Sequence, residues 1–385
     1  MTEQQNTPEL RFKSFNDEWS LSTIGALGDF YYGKSAPKWS ITEDVGIPCI
    51  RYGELYTKFN NVVNEIYSYT SMPKEKLRFS KGGEILIPRV GEDPLDFAKC
   101  VYLPQKDIAI GEMISVYNTK ENPLFLTYYF NTKMKYEFAK RVEGASVSNL
   151  YYSYLEDIKL KIPDIREQEK LGQFFSKLDR QIELEEEKLE LLEQQKRGYM
   201  QKIFSQELRF KDENGNEYPD WKDIKLNSIA DIKTGNKNAQ DSIENGKYMF
   251  FDRSVDIKYL NTFDFDEEAI IYPGEGSQFL PRYFKGKYSL HQRAYSIYNI
   301  KVDPQYLYNY LELQNNHFLK YAVGSTVKSL RMIAFNKLII SSPVMDEQEK
   351  IGSFFNKIDN LIELQTIKIE SLKQRKKGLL QKMFV

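Results

Sequence analysis

The residues that could carry catalysis are few, and their surroundings do not suit it. Gly28-Asp-Phe-Tyr-Tyr-Gly33-Lys34-Ser35 has the spacing of a phosphate-binding loop, in which exposed backbone N–H groups and a lysine cradle phosphates where a loop enters a helix. Here the loop interior is Phe-Tyr-Tyr, Pro37 follows, and Lys38 to Ile50 shows no helical period. The equivalent stretch of the second half, Ala230 to Lys237, has lost the match, so no nucleotide site is expected. Pro163-Asp164 followed by Glu186-Glu-Lys188 has a loose nuclease spacing, but along one helix these side chains would be spread over roughly 30 Å. His291 and His317 stand apart from any metal-ligand or nucleophile setting. No catalytic residues are assigned.

Asn122-Pro123-Leu124-Phe125 lacks the second proline of the Asn-Pro-Pro-aromatic motif used by adenine methyltransferases, and no glycine-rich cofactor loop accompanies it. What remains is recognition chemistry. Bases alternate with aromatics from Lys133 to Arg141 and from Arg282 to Arg293, a pattern that can neutralise phosphates and offer Arg, His and Gln to base edges. Two short polar loops, Ser146-Val-Ser148-Asn149 and Ser325-Thr326-Val-Lys328, could bond backbone phosphates. Each of these stretches could equally be a solvated face or a cap for the next element.

The elements that must position such groups follow from a repeat. Pro163 to Phe204 aligns without gaps on Pro343 to Phe384, with 22 identities in 42 positions. The same offset relates Gly144-Ala-Ser-Val147-Ser-Asn-Leu150 to Gly324-Ser-Thr-Val327-Lys-Ser-Leu330. A second echo opens each half, Glu9-Leu-Arg-Phe12 against Glu207-Leu-Arg-Phe210, then Trp19 against Trp221. Between these anchors the halves diverge.

Within the repeated segment, Leu171, Phe175, Leu178, Ile182, Glu185, Leu189, Leu192, Lys196, Tyr199 and Ile203 alternate steps of four and three. The second copy does the same at Ile351, Phe355, Ile358, Ile362, Gln365, Ile369, Leu372, Lys376, Leu379 and Met383. This is the apolar seam of a coiled coil, and about 38 residues make a rod of roughly 57 Å. Such a helix needs a partner, and the other copy is available. Antiparallel pairing with positions summing to 561 would set Glu185 against Lys376 and Lys196 against Gln365, leaving the remaining layers apolar. Some other register, with the polar residues reaching solvent, is the alternative.

The variable blocks read as mixed α and β structure. Ile47-Pro-Cys-Ile50, Glu84-Ile-Leu-Ile87 and Ala269-Ile-Ile-Tyr272 are strand-like, Leu124 to Arg141 and Gln305 to Tyr321 are aromatic helical stretches, and Lys211 to Asp220 is a polar linker. The expected fold class is α+β: two mixed α/β domains in tandem, separated and joined by two long helices that pair as an antiparallel coiled coil with pseudo-twofold symmetry. The boundaries are an N-terminal arm at 1–18, a first domain at 19–162, a helix at 163–204, a linker at 205–220, a second domain at 221–342 and a second helix at 343–385.

Composition limits the partners. Lys plus Arg number 54 and Asp plus Glu 55, so the net field attracts no polyanion and any such partner must be held by local clusters. No region is strongly basic, residues 1–162 carrying 20 bases and 21 acids and residues 205–342 carrying 18 of each. Cys49 and Cys100 are too few for a disulfide framework or a cysteine zinc site, no signal-like segment precedes them, and no apolar run reaches bilayer length. The expectation is a cytoplasmic protein with no membrane association and no metal of its own.

The doubled Pro-x-x-x-Glu-Gln-x-x-x-Gly-x-Phe-Phe-x-Lys-Leu/Ile-Asp-x-x-Ile segment, each copy behind a divergent domain, resembles the specificity subunit of type I restriction-modification enzymes. Gly83-Glu-Ile-Leu-Ile87 and Ile47-Pro-Cys-Ile-Arg51 are similar to strand motifs of that family's target recognition domains. The second domain has no recognisable Ile-Pro-x-Ile-Arg, and the second helix opens Pro343-Val-Met-Asp. The resemblance implies a non-catalytic reader of double-stranded DNA. Each domain would read half of a bipartite site, and the helices would dock two modification (methyltransferase) subunits. S-adenosylmethionine, ATP and Mg would be used by the modification and restriction (translocase/endonuclease) subunits, with no cofactor in this chain. The contacts expected on this basis are Arg51, Arg89, Ser146 and Asn149 in the first domain, and Arg253, Arg282, Lys285, His291, Arg293 and Lys328 in the second. The residues expected to pair the helices are Ile182, Glu185, Leu189, Leu192, Lys196, Tyr199, Ile362, Gln365, Ile369, Leu372, Lys376 and Leu379. Two other readings share parts of this pattern: a coiled-coil scaffold joining two protein-binding domains without nucleic acid, and a nucleotide hydrolase using Gly28 to Ser35.

Overall fold

Each long helix begins where a proline ends a strand. In the computed structural model, which describes residues 7–34, 36–144, 147–254 and 256–385, the helices run over Ile165–Phe204 and Met345–Met383. Lys159–Ile162 and Ile339–Ser342 lead into them, and Pro163 and Pro343, which cannot donate to a sheet ladder, follow directly. Contacts divide the chain into two units, Met1–Glu186 with Lys368–Val385, and Glu187–Ile367. Each unit therefore holds one domain together with a stretch of both helices.

In the first unit the domain is built on two sheets. A four-stranded antiparallel sheet runs Gly28–Tyr32, Ile114–Thr119, Glu84–Pro88, Val101–Leu103. A five-stranded sheet runs Ile41–Thr42, Ser68–Thr70, Ile47–Ile50, Lys106–Ile110, Phe79–Lys81, with one parallel pair, Ile47–Ile50 beside Lys106–Ile110. The stretch with phosphate-loop spacing is accounted for by its backbone: Gly28–Tyr32 is a strand in register with Ile114–Thr119, and Ser35 lies outside the described residues. In the second unit one six-stranded sheet replaces both, in the order Asp231–Thr234, Tyr295–Tyr298, Phe265–Tyr272, Arg282–Leu290, Tyr248–Phe251, Lys258–Leu260. The aromatic helical stretches each break in two, at Pro123–Lys133 and Lys135–Ala139, and at Pro304–Glu312 and Asn315–Tyr321. The expected linker holds a tight turn, with the Asp212 carboxylate accepting from the Asn214 and Asn216 backbone N–H groups.

The repeated motif is the joint between domain and helix. In the first unit the Gln168 side chain donates to the Pro163 carbonyl at 2.9 Å and accepts from the Asn122 backbone at 3.0 Å, while Asn122 caps the helix Pro123–Lys133 through the Phe125 N–H. The second unit does this again with Gln348, Pro343, Asp303 and Tyr306. The capping side chain rests on a glycine of the long helix. A Cβ at Gly172 would stand 3.0 Å from Asn122 Oδ1, and one at Gly352 would lie closer still to Asp303 Oδ1. That contact explains why glycine, a poor helix former, sits inside both helices.

The opening echo explains itself in the same way. Arg11 donates Nε and Nη2 to the two carboxylate oxygens of Glu167, at 2.8 and 2.7 Å, and Arg209 does so to Glu347 at 3.2 and 2.7 Å. The carboxylates are 1% and 0% exposed. Beyond the guanidinium, Leu208 N–H donates to the Lys202 carbonyl, and Leu10 N–H donates to the Lys382 carbonyl. The N-terminal segment thus closes on the end of the second helix as the continuing chain closes on the end of the first.

Aromatic side chains lock these ends. Phe384 packs against Trp19, Phe125, Tyr129 and Phe175 in the first unit; Phe204 packs against Trp221, Tyr306, Tyr310 and Phe355 in the second.

The helix contacts correct the expected register. In the first unit Lys376 pairs with Asp179 and Lys368 with Glu185; in the second Lys196 reaches Asp359 at 2.8 Å. With Lys373 and Glu186, which also pair, these positions sum to 553–559, below 561, and across the set one number falls as the other rises. The pairs Asp179 with Lys376 and Asp359 with Lys196 are the same interaction at the repeat offset of 180. The 561 register fails because it sought each polar seam residue's partner only within the facing seam. Lys196 also reaches out to Glu312 of the domain, at 3.0 Å, and Asp179 accepts from Asn61 and Tyr128. Of the residues expected to pair the helices, Ile182, Gln365 and Ile369 are buried. Glu185, Leu189, Leu192, Lys196, Ile362, Leu372, Lys376 and Leu379 are half-buried. Tyr199 is 40% exposed and meets Phe354 edge-on at 5.2 Å.

Candidate nucleic-acid interface

In both units a two-stranded ribbon carries the repeated loop. Val90–Gly91 pairs with Ser148–Asn149 in the first, and Glu275–Gly276 with Lys328–Ser329 in the second. Leu150 N–H bonds the Arg89 carbonyl and Leu330 N–H bonds the Gly274 carbonyl, so the ribbons sit at matching places. A glycine with positive φ, Gly144 at 119° and Gly324 at 112°, turns the chain into each ribbon.

In the first unit this places Asn149 half-buried on the ribbon, with Arg89 beside it. The Arg89 guanidinium lies 4.6 Å from the Tyr32 ring centre and 5.2 Å from that of Tyr151, held by aromatic faces. Among the described residues its Nε, which is buried, has no hydrogen-bond partner and no carboxylate pairs with it. Arg51 sits elsewhere, at the N-terminus of the short helix Tyr52–Thr57, where its backbone N–H donates to Glu54 at 2.7 Å. It too has no carboxylate pair to its guanidinium among the described residues. Ser146 lies outside the described residues.

The second unit solves the charge problem differently. Arg253 and Arg293 share the carboxylate of Glu275, Arg253 at 3.5 Å and Arg293 in direct contact. Lys285 pairs with Glu268, which also accepts from Tyr283. These two partners hold the Glu268 carboxyl below the usual carboxylate range, the Tyr283 hydroxyl contributing most. Arg282 donates to the Ser254 carbonyl at 2.7 Å. The His291 ring accepts from the Arg293 backbone N–H at 3.2 Å, and burial lowers its pKa, so it is a neutral acceptor at pH 7. Lys328 is half-buried on the ribbon. The structure therefore gathers Arg253, His291 and Arg293 around Glu275, puts Lys328 on the adjoining strand, and leaves Lys285 with Glu268.

Two features escaped the reading from sequence. The tyrosines that hold Arg89 lie 57 residues before it and 62 after it, with no local pattern to announce them. Glu275 carries no signal of this kind in the sequence, because an acid at the centre of a basic group breaks the pattern of bases and aromatics. The helix-to-helix ion pairs had a signal, since Asp179 and Asp359, like Lys196 and Lys376, recur at the repeat offset.

Comparison with known proteins gives this geometry its context. The family described as type I restriction modification DNA specificity domain matches residues 16–194 and again 218–374. The MjaVIII type I restriction enzyme specificity subunit of Methanocaldococcus jannaschii is 23% identical over 331 residues, covering 73% of this chain and 74% of that protein. The EcoDI specificity subunit of Escherichia coli is 28% identical over 156 residues, 40% of this chain and 33% of its own length. Among solved structures, the type I S subunit of M. genitalium superposes with a TM-score of 0.67 at 17% identity, covering 98% of this chain and 99% of its own. A chain from a structural study of type I system assembly and conformational transition gives 0.53 at 12% identity, covering 95% and 97%. Matched by the family over both of its halves, and carrying the same domain-to-helix joint in each, the chain belongs to the type I restriction-modification DNA specificity family and is a specificity subunit.

Proposed function

We propose that each domain reads one half of a bipartite DNA site, and that the two long helices pair as an antiparallel coiled coil with approximate twofold symmetry to set the spacing between the halves. The observation that carries this reading is the exchanged ion pair: Asp179 of the first helix with Lys376 of the second, and Asp359 of the second with Lys196 of the first. An interaction written twice with the helices swapped is what a twofold relation produces. Two similar readers so related would face duplex segments about one turn, roughly 34 Å, apart.

The near-neutral charge then has a consequence. A chain with 54 bases and 55 acids releases few counterions on its own, so most of the grip on DNA falls to partner subunits. In this reading two modification subunits dock on the helices and transfer methyl groups from S-adenosylmethionine to adenine, and restriction subunits use ATP and Mg. This chain supplies recognition and no reaction step, and it works in the cytoplasm where the DNA is. No helix among the described residues is long and apolar enough to cross a membrane.

Helix length provides the test. Inserting four residues at matching points of both helices adds about 6 Å of rod. Adenine methylation mapped in cells expressing the whole complex should then show both half-sites unchanged and a longer spacer. An altered half-site with the original spacer would refute the ruler.

A further inference from the structure

We infer that Glu275, Arg253 and Arg293 form a guanine-reading site in the second domain, with Glu275 as the positioning residue that aims the two guanidinium forks. The inference rests on the DNA-reading function and adds a residue and a base to it.

The three side chains come from three separate segments, each held by its own hydrogen bonds. Glu275 begins the ribbon strand paired with Lys328–Ser329, and the Ser329 hydroxyl donates to its carboxylate at 3.4 Å. Gly274 lies so close to the Arg293 carbonyl that no Cβ would fit between them. Arg293 follows His291, whose backbone N–H bonds the Phe251 carbonyl and whose ring accepts from Arg293 N–H. Arg253 follows Asp252, and that carboxylate accepts from Ser254 and from Lys258 at 2.6 Å. The backbone of the group is thus set before any ligand arrives.

Charge and exposure argue against a purely structural ion pair. The Glu275 side chain is 12% exposed, whereas those of Arg253 and Arg293 are 68% and 62% exposed. Exposed pairs of this kind contribute little to stability, because water and salt screen them. One carboxylate also cannot neutralise two guanidiniums, so the group keeps a net positive charge, with Lys328 on the partner strand adding to it. What the arrangement does is hold two planar donor forks by a recessed acid while leaving their outer edges free. A guanidinium fork presented in this way matches the O6 and N7 acceptors of guanine in the major groove. Val90 takes the corresponding ribbon position in the first domain, so that domain's half-site is read by other means.

The test uses the full chain in complex with its modification subunits and maps methylated sites for Glu275→Gln, Arg293→Lys and Arg253→Lys. Lysine keeps the charge and loses the fork, so it preserves a phosphate contact but not a base contact. Arg293→Lys should lower the preference for one G·C pair in the second domain's half-site by about ten- to a hundredfold. Glu275→Gln should relax the same position, and the first domain's half-site should be unchanged in every variant. That unchanged half serves as the folding control within the same molecule. An unaltered second half-site, or a uniform loss across all positions of it, would overturn the inference while leaving the DNA-reading function standing. Absence of any bipartite motif in the wild-type complex would instead remove the function on which it rests.

Discussion

The two units share their joints and differ in their faces. Where domain meets helix, the first unit uses Arg11, Glu167, Gln168, Asn122 and Gly172, and the second uses Arg209, Glu347, Gln348, Asp303 and Gly352, in the same bonding pattern. On the ribbons the correspondence stops. The first unit holds Arg89 between two tyrosines with no carboxylate pair among the described residues, and the second ties two arginines to Glu275. A joint has one mechanical task and tolerates little change, because each buried charge there must keep its partner. The ribbons carry no such joint, so their side chains are free to differ between the units.

The joints are not quite equivalent, and the difference can be broken open by substitution. The Trp221 indole N–H donates to Glu347, whereas the Trp19 indole N–H is buried and has no partner among the described residues. Arg11→Ala would therefore leave Glu167 buried and bare, and should destabilise the first unit by about 3–5 kcal/mol in denaturant unfolding. Arg209→Ala should cost measurably less, since Glu347 retains the indole. Equal losses would mean that the indole bond contributes nothing.

The next contrast concerns the helix lysines. Lys376 sits on Asp179, which keeps bonds from Asn61 and Tyr128 if the lysine is removed. Lys196 lies between Glu312 and Asp359, and although burial alone would lower its pKa, the two carboxylates outweigh that and raise it. Lys196→Met would leave two acids facing each other and should destabilise by about 2–4 kcal/mol, against about 1–2 for Lys376→Met. Hydrogen exchange of the helix amides near each site would separate the two.

Smaller effects are expected at the glycines and at His291. Gly352→Ala should cost about 1–3 kcal/mol and Gly172→Ala less, because the Asp303 carboxylate leaves less room than the Asn122 amide. His291 has its pKa lowered by burial, so its contribution is complete above the ordinary value of 6.5 and is lost as pH falls through the lowered one. Acidification from pH 7.5 to 5.5 should thus weaken the second unit slightly, and His291→Asn should remove that dependence.

Much of the frame was legible in the sequence because it is local or repeated. Pro163 and Pro343 mark the helix starts, the heptad steps mark their lengths, and Ile47–Ile50, Glu84–Pro88 and Phe265–Tyr272 are strands where β-branched runs lie between turn residues. The offset of 180 even contains the true ion pairs, since Asp179 and Lys376 return as Asp359 and Lys196. Pairing positions by the seam alone missed them, because a lysine's four-carbon stem can reach past its own layer and out to a domain residue such as Glu312. The surroundings of the ribbons were the least legible part. Arg293 closes a run of bases and aromatics, whereas nothing in the sequence beside Arg89 marks its setting, and the neighbours of both, Tyr32, Tyr151 and Glu275, come from strands and turns that only the folded sheet brings together.

The most direct test of a shared frame carrying two independent readers is to replace residues 20–150 with the corresponding domain of a relative and map adenine methylation in cells that express the partner subunits. The account predicts a split motif in which one half changes, the other half stays as in the parent, and the spacer length is preserved. A motif altered in both halves, or no split motif in either protein, would contradict it.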